Sequence, residues 1–167
     1  MPNTQIETIA EIAQKISAEN DRRQRLTHTI NELIVRRQTA LVLFCELGAF
    51  ESNGSDVQEE LEKLNKFGQA LVDYTALGHF EIYERIMSGK ERRESVKQVA
   101  NKVYPLISDT TEQFVDFNDK YVGADDADSI LNLHDDLSPI GEAMAARTEA
   151  EDTLLREMSD QVLKRTN

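Results

Sequence analysis

Three histidines, His28, His79 and His134, are the first side chains to test for chemistry in this 167-residue chain. A di-metal site in a helical bundle takes Glu-x-x-His pairs from two facing helices. The residues three positions before the histidines are Arg25, Ala76 and Leu131, which closes that reading. Phosphotransfer through an exposed imidazole is another use of a helical histidine, and His79 is the candidate for it. Its neighbours are Gly78, Phe80, Glu81 and Ile82, with Arg85 six residues on, an acidic and apolar setting that repels phosphate. Neither a nucleophile elbow nor a glycine-rich phosphate loop occurs. The sequence therefore points away from an enzyme and asks for neither cofactor nor metal.

What remains is recognition chemistry, concentrated in LVDYTALGHFEIYERI, residues 71–86. At about 100° per residue, Leu64, Phe67, Leu71, Gly78, Ile82 and Ile86 share one side of a helix. Asp73, Leu77, Phe80 and Glu84 fall in a narrow sector roughly opposite. The back of a solvated helix is polar throughout. Two acids bracketing a Leu and a Phe describe instead a surface that meets another helix of the bundle or a partner protein. Asp73 has Gln69 four residues before it and Leu77 four after, so the usual intrahelical cation is missing. An acid so placed suits an arginine of another protein, with Phe80 and Tyr83 as rigid apolar anchors. His79 reads either as a half-buried ring bonded to a neighbouring helix or as a contact in that partner site. His28 and His134 read as solvated, and Glu142, Glu149, Glu151 and Asp152 as a solvated face of the last helix.

The same segment resembles the signature of the Rsd/AlgQ proteins, bacterial regulators that bind the primary sigma factor of RNA polymerase. The pattern V-D-Y-x-x-x-G-H-F-x-[IV]-Y-E is met by Val72, Asp73, Tyr74, Gly78, His79, Phe80, Ile82, Tyr83 and Glu84. VYPLISDTTEQFVDFND (Val103 to Asp119) and LSPIGEAMAARTEAEDTLL (Leu137 to Leu155) resemble two further family segments in the same order. The likeness runs from about Thr29 to Leu155. One departure is the Asp-Arg-Trp of the family's first helix, replaced by Asn31, Glu32 and Leu33 in a chain without tryptophan. The resemblance implies an anti-sigma-type regulator that binds domain four of the primary sigma factor, a basic helix-turn-helix module. Sequestration would keep that domain from polymerase and promoter DNA. The resemblance also places the acid matching Asp73 in the sigma-binding surface, which then comprises Asp73, Leu77, His79, Phe80, Tyr83 and Glu84. A helical adaptor docking another regulatory protein is the alternative reading, and a phosphotransfer module using His79 a third.

Composition bears on the partner. A formal net charge of −12 argues against nucleic acid as the direct ligand, because neutralising phosphates takes a clustered basic surface. It favours a basic partner instead. Cys45 is the single cysteine, which excludes an internal disulfide and suits a reducing cytoplasm. Within LVLFCEL it reads as a small buried core residue. No apolar run reaches the roughly 18 residues of a membrane span, and the N-terminus has no export signal. A cytoplasmic protein that does not touch the membrane is expected.

The elements that must position these residues are helices. Thr4 with Glu7 has capping-box spacing, and Ile6, Ile9, Ile12 and Ile16 form a stripe that needs its own bundle or a second copy to cover it. A homodimer through this N-terminal helix is one outcome. Asn20-Asp21 offers a second cap, followed by Leu26, Ile30, Leu33, Ile34, Leu41, Phe44 and Leu47. The spacing gives one very long helix to about Gly48, or a short helix running into a long one. Residues 51–56, ESNGSD, form a linker with a cap at Ser55 or Asp56. A second helix is predicted over about 57–88, with Gly68 and Gly78 marking close approach of another backbone and Gly89 as its C-cap. A third spans about 92–121, with Pro105 kinking it. A fourth region starts near Asp126, breaks at Ser138-Pro139 and resumes with Pro139 in its first turn. The expected fold is all-α: an antiparallel up-and-down four-helix bundle with an additional N-terminal helical segment (residues 1–20), one domain over residues 1–167.

Overall fold

Helix α1 (Ile9–Gly48) is a single rod of 40 residues, about 60 Å long at 1.5 Å per residue. The computed structural model describes residues 8–49 and 56–164, with side chains as far as residue 159. A capping box does start α1, but it is Thr8 with Glu11: the Glu11 N–H donates to Thr8 Oγ1 at 3.3 Å and the Thr8 N–H to Glu11 Oε2 at 2.7 Å. Thr4, Ile6 and Glu7 lie outside the described residues. Asn20 and Asp21 do not restart the helix. No glycine or proline interrupts it there, and Glu19 bridges the position by pairing with Arg23 at 3.0 Å.

α2 (Val57–Gly78) begins at Asp56, whose Oδ1 accepts the Gln58 N–H at 3.0 Å. It passes without a break into a π-helical segment (His79–Tyr83) and then α3 (Glu84–Met87). Gly89 follows at φ 82°, the left-handed cap expected of it. α4 (Glu94–Tyr121) carries Pro105 inside it. A 3-10 turn (Asp128–Ile130) leads to α5 (Leu133–Lys164). The expected break at Ser138-Pro139 is absent. Leu133, Leu137 and Ile140 are buried and tie the first turns of α5 to the core, while Pro139 sits on the exposed side.

Pairs of residues fix how the helices run. Arg36 faces Asp73 and Phe44 stacks near Phe67, ring centroids 5.8 Å apart, so α1 and α2 are antiparallel. Tyr121 bonds Asp136 at 2.5 Å and Arg147 bonds Thr111 at 2.7 Å, the antiparallel order for α4 and α5. Arg37 reaches Asp152 at 2.8 Å while the Phe44 ring lies on Gly141, which closes α5 back onto α1. Phe67 and Phe117, 5.8 Å apart, join α2 to α4. Leu33, Phe67, Leu71, Phe114, Leu133 and Leu154 fill the centre with no side-chain surface left to solvent beyond a few per cent.

Three sequence expectations change here. The stripe of Ile9, Ile12 and Ile16 is exposed, and every described residue of α1 before Glu19 is exposed with it. α1 overshoots the bundle, so the cover is not this chain's own described residues. Cys45 is exposed rather than buried, because Phe44 and Leu47 on either side of it take the inward positions. The two glycines of α2 admit side chains and not a backbone. A Cβ on Gly68 would sit 2.9 Å from Asn118 Oδ1, and one on Gly78 2.9 Å from the Tyr83 ring.

Candidate functional site

The outer flank of α2 and the π segment carries most of the proposed contact residues. Asp73 is about half exposed. Its Oδ1 accepts from Gln69 Nε2 at 2.9 Å, and its Oδ2 lies 3.8 Å from Arg36 Nη1 on the facing α1. A cation therefore does stand near Asp73, supplied by the neighbouring helix. Leu77 is half-buried against the core. His79, Phe80, Glu81 and Glu84 are exposed, Phe80 to 65%. The His79 and Phe80 rings meet edge-on with centroids 4.8 Å apart, so His79 is packed on its neighbour and not sunk between helices.

Tyr83 departs from the expectation. It is buried, and its hydroxyl donates to Glu151 Oε1 at 2.8 Å, so its ring is no anchor for a partner. The cause is the π segment. The Glu84 N–H bonds the His79 carbonyl five residues back, which inserts one residue into the helical turn and swings the following side chains by about one residue's rotation. Ile82 and Tyr83, adjacent in sequence, both end up inside.

Behind the flank lies a charge network built around Glu151 and Asp152, two acids that the sequence places on a solvated face. Glu151 is 0% exposed and Arg147, one turn before it, 1%. Arg147 Nε donates to Glu151 Oε1 at 2.9 Å, and the Tyr74 hydroxyl donates to Oε2 at 2.5 Å. Arg37 of α1 lies 3.4 Å from Glu151 Oε2 and bonds Asp152 at 2.8 Å. The other end of Arg147 donates to the Ile107 carbonyl at 3.1 Å and to Thr111 Oγ1 at 2.7 Å. Its guanidinium is also 5.3 to 5.8 Å from the ring centres of Tyr74, Phe114 and Tyr83. Two arginines face two carboxylates, so the network carries no net charge, and it ties α1, α2, α4 and α5 together.

Burial alone would lower the affinity of Arg147 for its proton, but the charge of Glu151 and the neighbouring phenols raise it above the ordinary arginine value. Burial raises the Tyr74 and Tyr83 hydroxyls well above the ordinary tyrosine value, and the Glu151 charge raises them further. Arg147, Tyr74 and Tyr83 therefore hold their native protonation across neutral pH. The network is a structural device: among the described residues no buried side-chain nitrogen or oxygen is left without a hydrogen-bond partner.

Arg37, Tyr74, Arg147 and Glu151 are the residues that sequence reasoning missed. A signal was present. Arg147 and Glu151 continue the stripe of Ile140, Met144, Leu154 and Met158, and Arg37 lies between Leu33 and Ala40 at core spacing. An Arg and a Glu on an apolar stripe, four residues apart, point to a buried pair.

Fold and site together define a class: an all-α bundle with a neutralised ionic core and an acid-flanked aromatic on its outside. Residues 12–159 match the family described as "Regulator of RNA polymerase sigma(70) subunit, Rsd/AlgQ". The protein called regulator of sigma D in Yersinia enterocolitica is 35% identical over 130 residues, which cover 76% of this chain and 78% of that protein. Its counterpart in Salmonella arizonae is 36% identical over 124 residues, 74% and 76% of the two chains. That of Enterobacter sp. is 35% identical over 136 residues, 81% and 82%. The chain belongs to the Rsd/AlgQ family, whose named members are regulatory proteins. Among the described residues no helix is long and apolar enough to cross a membrane.

Proposed function

We propose that this protein binds domain four of the primary sigma factor through the flank formed by Asp73, Leu77, His79, Phe80 and Glu84, and so withholds it from polymerase and promoter DNA. The observation that carries the reading is Phe80: a large aromatic ring 65% exposed, held edge-on by His79 and flanked by Glu81 and Glu84. A ring that exposed gains from burial against another polypeptide. The acids around it, in a chain of net charge −12, attract the cationic side chains with which a helix-turn-helix module contacts DNA phosphates. The Arg36–Asp73 pair is compatible with this. At 3.8 Å between half-exposed side chains it is loose, of a kind worth at most about 1 kcal/mol, and an incoming arginine can replace it.

Titration calorimetry with isolated sigma domain four tests the reading. Binding is expected to weaken steeply as salt rises. Asp73→Arg, which places a second cation beside Arg36, is expected to abolish binding while leaving the helical melting curve close to that of the wild type. Unchanged affinity in Asp73→Arg removes Asp73 from the surface, and no binding by the wild-type chain removes the sigma domain as its partner.

A further inference from the structure

The five residues His79–Tyr83 look outward and inward at once. Outside they present His79 and Phe80; inside they send Tyr83 to Glu151. A π turn replaces an α turn only where something offsets its poorer backbone geometry. Three features on the inner side do so. Gly78 leaves the space that the Tyr83 ring occupies, with a ring carbon 2.9 Å from where a Cβ would be. The hydroxyl bonds Glu151 Oε1 at 2.8 Å. The Arg147 guanidinium lies 5.8 Å from the ring centre. The ring reaches its acceptor only because the wide turn brings residue 83 round to the core, beside Ile82.

We propose that Tyr83 and Glu151 are positioning residues for the outer surface: their buried hydrogen bond holds the π turn open, and the open turn fixes where His79 and Phe80 stand. The deep charge network and the partner surface are thus one mechanical unit, although Tyr83 and Glu151 are themselves buried. The link to affinity rests on the sigma-binding reading above; the link to the shape of the turn does not.

Tyr74 supplies a matched control. Its hydroxyl bonds the other oxygen of the same carboxylate at 2.5 Å, but from the regular part of α2. Tyr83→Phe and Tyr74→Phe each remove one buried hydroxyl from Glu151 and leave Arg147 and Arg37 to neutralise it. Amide hydrogen exchange on the full-length chain, resolved by residue, is the primary readout. Tyr83→Phe is expected to speed exchange at the Glu84 amide, the donor of the π hydrogen bond, at least tenfold more than at α2 amides before Gly78, and to shift the ring resonances of His79 and Phe80. Tyr74→Phe is expected to leave all of these as in the wild type. In the binding assay Tyr83→Phe should weaken sigma domain four at least fivefold and Tyr74→Phe less than twofold. Equal exchange profiles in the two variants overturn the positioning role whatever the partner is. Altered exchange at Glu84 with unaltered affinity overturns the coupling to the surface. A wild-type chain that ignores sigma domain four overturns the functional reading alone, since the exchange comparison still decides the role of Tyr83.

Discussion

Arg147 and Glu151 form a 2.9 Å ion pair within one turn of α5, and neither side chain reaches solvent. Taking two such charges out of water is costly, and mutual attraction repays it only where every remaining donor and acceptor is satisfied. Here Ile107, Thr111, Tyr74, Tyr83 and Arg37 satisfy them. Breaking the pair from one side is therefore much worse than replacing it whole. Arg147→Met is expected to lower the unfolding free energy by about 3–5 kcal/mol, since it strands part of the Glu151 charge in the core. Arg147→Met with Glu151→Leu should recover part of that loss, because Arg37 keeps Asp152. It should stay below wild type by about 1–3 kcal/mol for each of the two tyrosine hydroxyls left without an acceptor. Urea unfolding of the wild type, both single variants and the double variant measures the coupling; strictly additive losses would contradict it.

At high pH the same network makes the fold fragile. Tyr74 and Tyr83 are raised above the tyrosine range by burial and by Glu151, whereas both ionise near about pH 10 once unfolded. A group whose folded value is raised contributes stability in full below its unfolded value and loses it as pH climbs further. Unfolding free energy should thus stay level up to about pH 10 and fall beyond it. Tyrosinate absorbance from these two side chains should appear together with loss of helix. Combining Tyr74→Phe with Tyr83→Phe should flatten that alkaline slope while lowering stability at neutral pH.

The opposite sign holds where α4 meets α5. Lys120 bonds Asp136, and the Tyr121 hydroxyl bonds the same oxygen. These bonds, Lys120 first, hold the Asp136 carboxyl below its ordinary value of 3.8. A depressed carboxylate contributes in full above that value, and its contribution disappears as pH falls through the folded one. Asp136→Asn should change stability by at most about 1 kcal/mol at pH 7, since the pair is partly exposed. Below about pH 4 the variant and the wild type should converge in denaturant midpoint.

Much of the architecture could be read from the chain because amphipathic spacing reports burial directly. Leu26 to Leu47, Leu64 to Ile86 and Ile140 to Met158 mark three core faces, and Asp56 and Gly89 mark ends that the structure keeps. The errors share one origin. Spacing treats each helix as a uniform rod and each charge as a surface group. It could not see the π turn, whose extra residue turns Tyr83 inward, because the turn depends on a carboxylate 68 positions away. Asp152 reads as solvated for the same reason, since its arginine partner Arg37 lies on another helix, whereas the pairing of Glu151 with Arg147 on its own apolar stripe was legible. Pro139 looked like a break because the pattern says nothing of how firmly Leu133 and Leu137 hold the preceding turns. Of the proposed contact residues, Phe80, Glu84 and His79 are exposed and Asp73 and Leu77 half so. The one that is buried, Tyr83, belongs to the machinery beneath them.

Glycine substitutions separate local propensity from packing in this fold. Gly48, in the last turn of α1, has no atom of the described residues within 4 Å of where a Cβ would go. Gly48→Ala should stabilise by about 0.5 kcal/mol, through the unfolded chain alone. Gly78 has helical φ and ψ of −59° and −47°, so propensity by itself would favour alanine by about 1 kcal/mol. Its Cβ, however, would meet the Tyr83 ring at 2.9 Å, Leu33 at 3.5 Å and Arg147 at 3.7 Å. Overpacking of that kind typically costs about 1–3 kcal/mol, and here the ring cannot move aside without losing Glu151. Packing outweighs propensity, so Gly78→Ala should destabilise by up to about 2 kcal/mol. The two alanine variants should shift the urea midpoint in opposite directions. Parallel shifts would mean that Tyr83 yields freely, and that nothing in the core holds the turn on which Phe80 is carried.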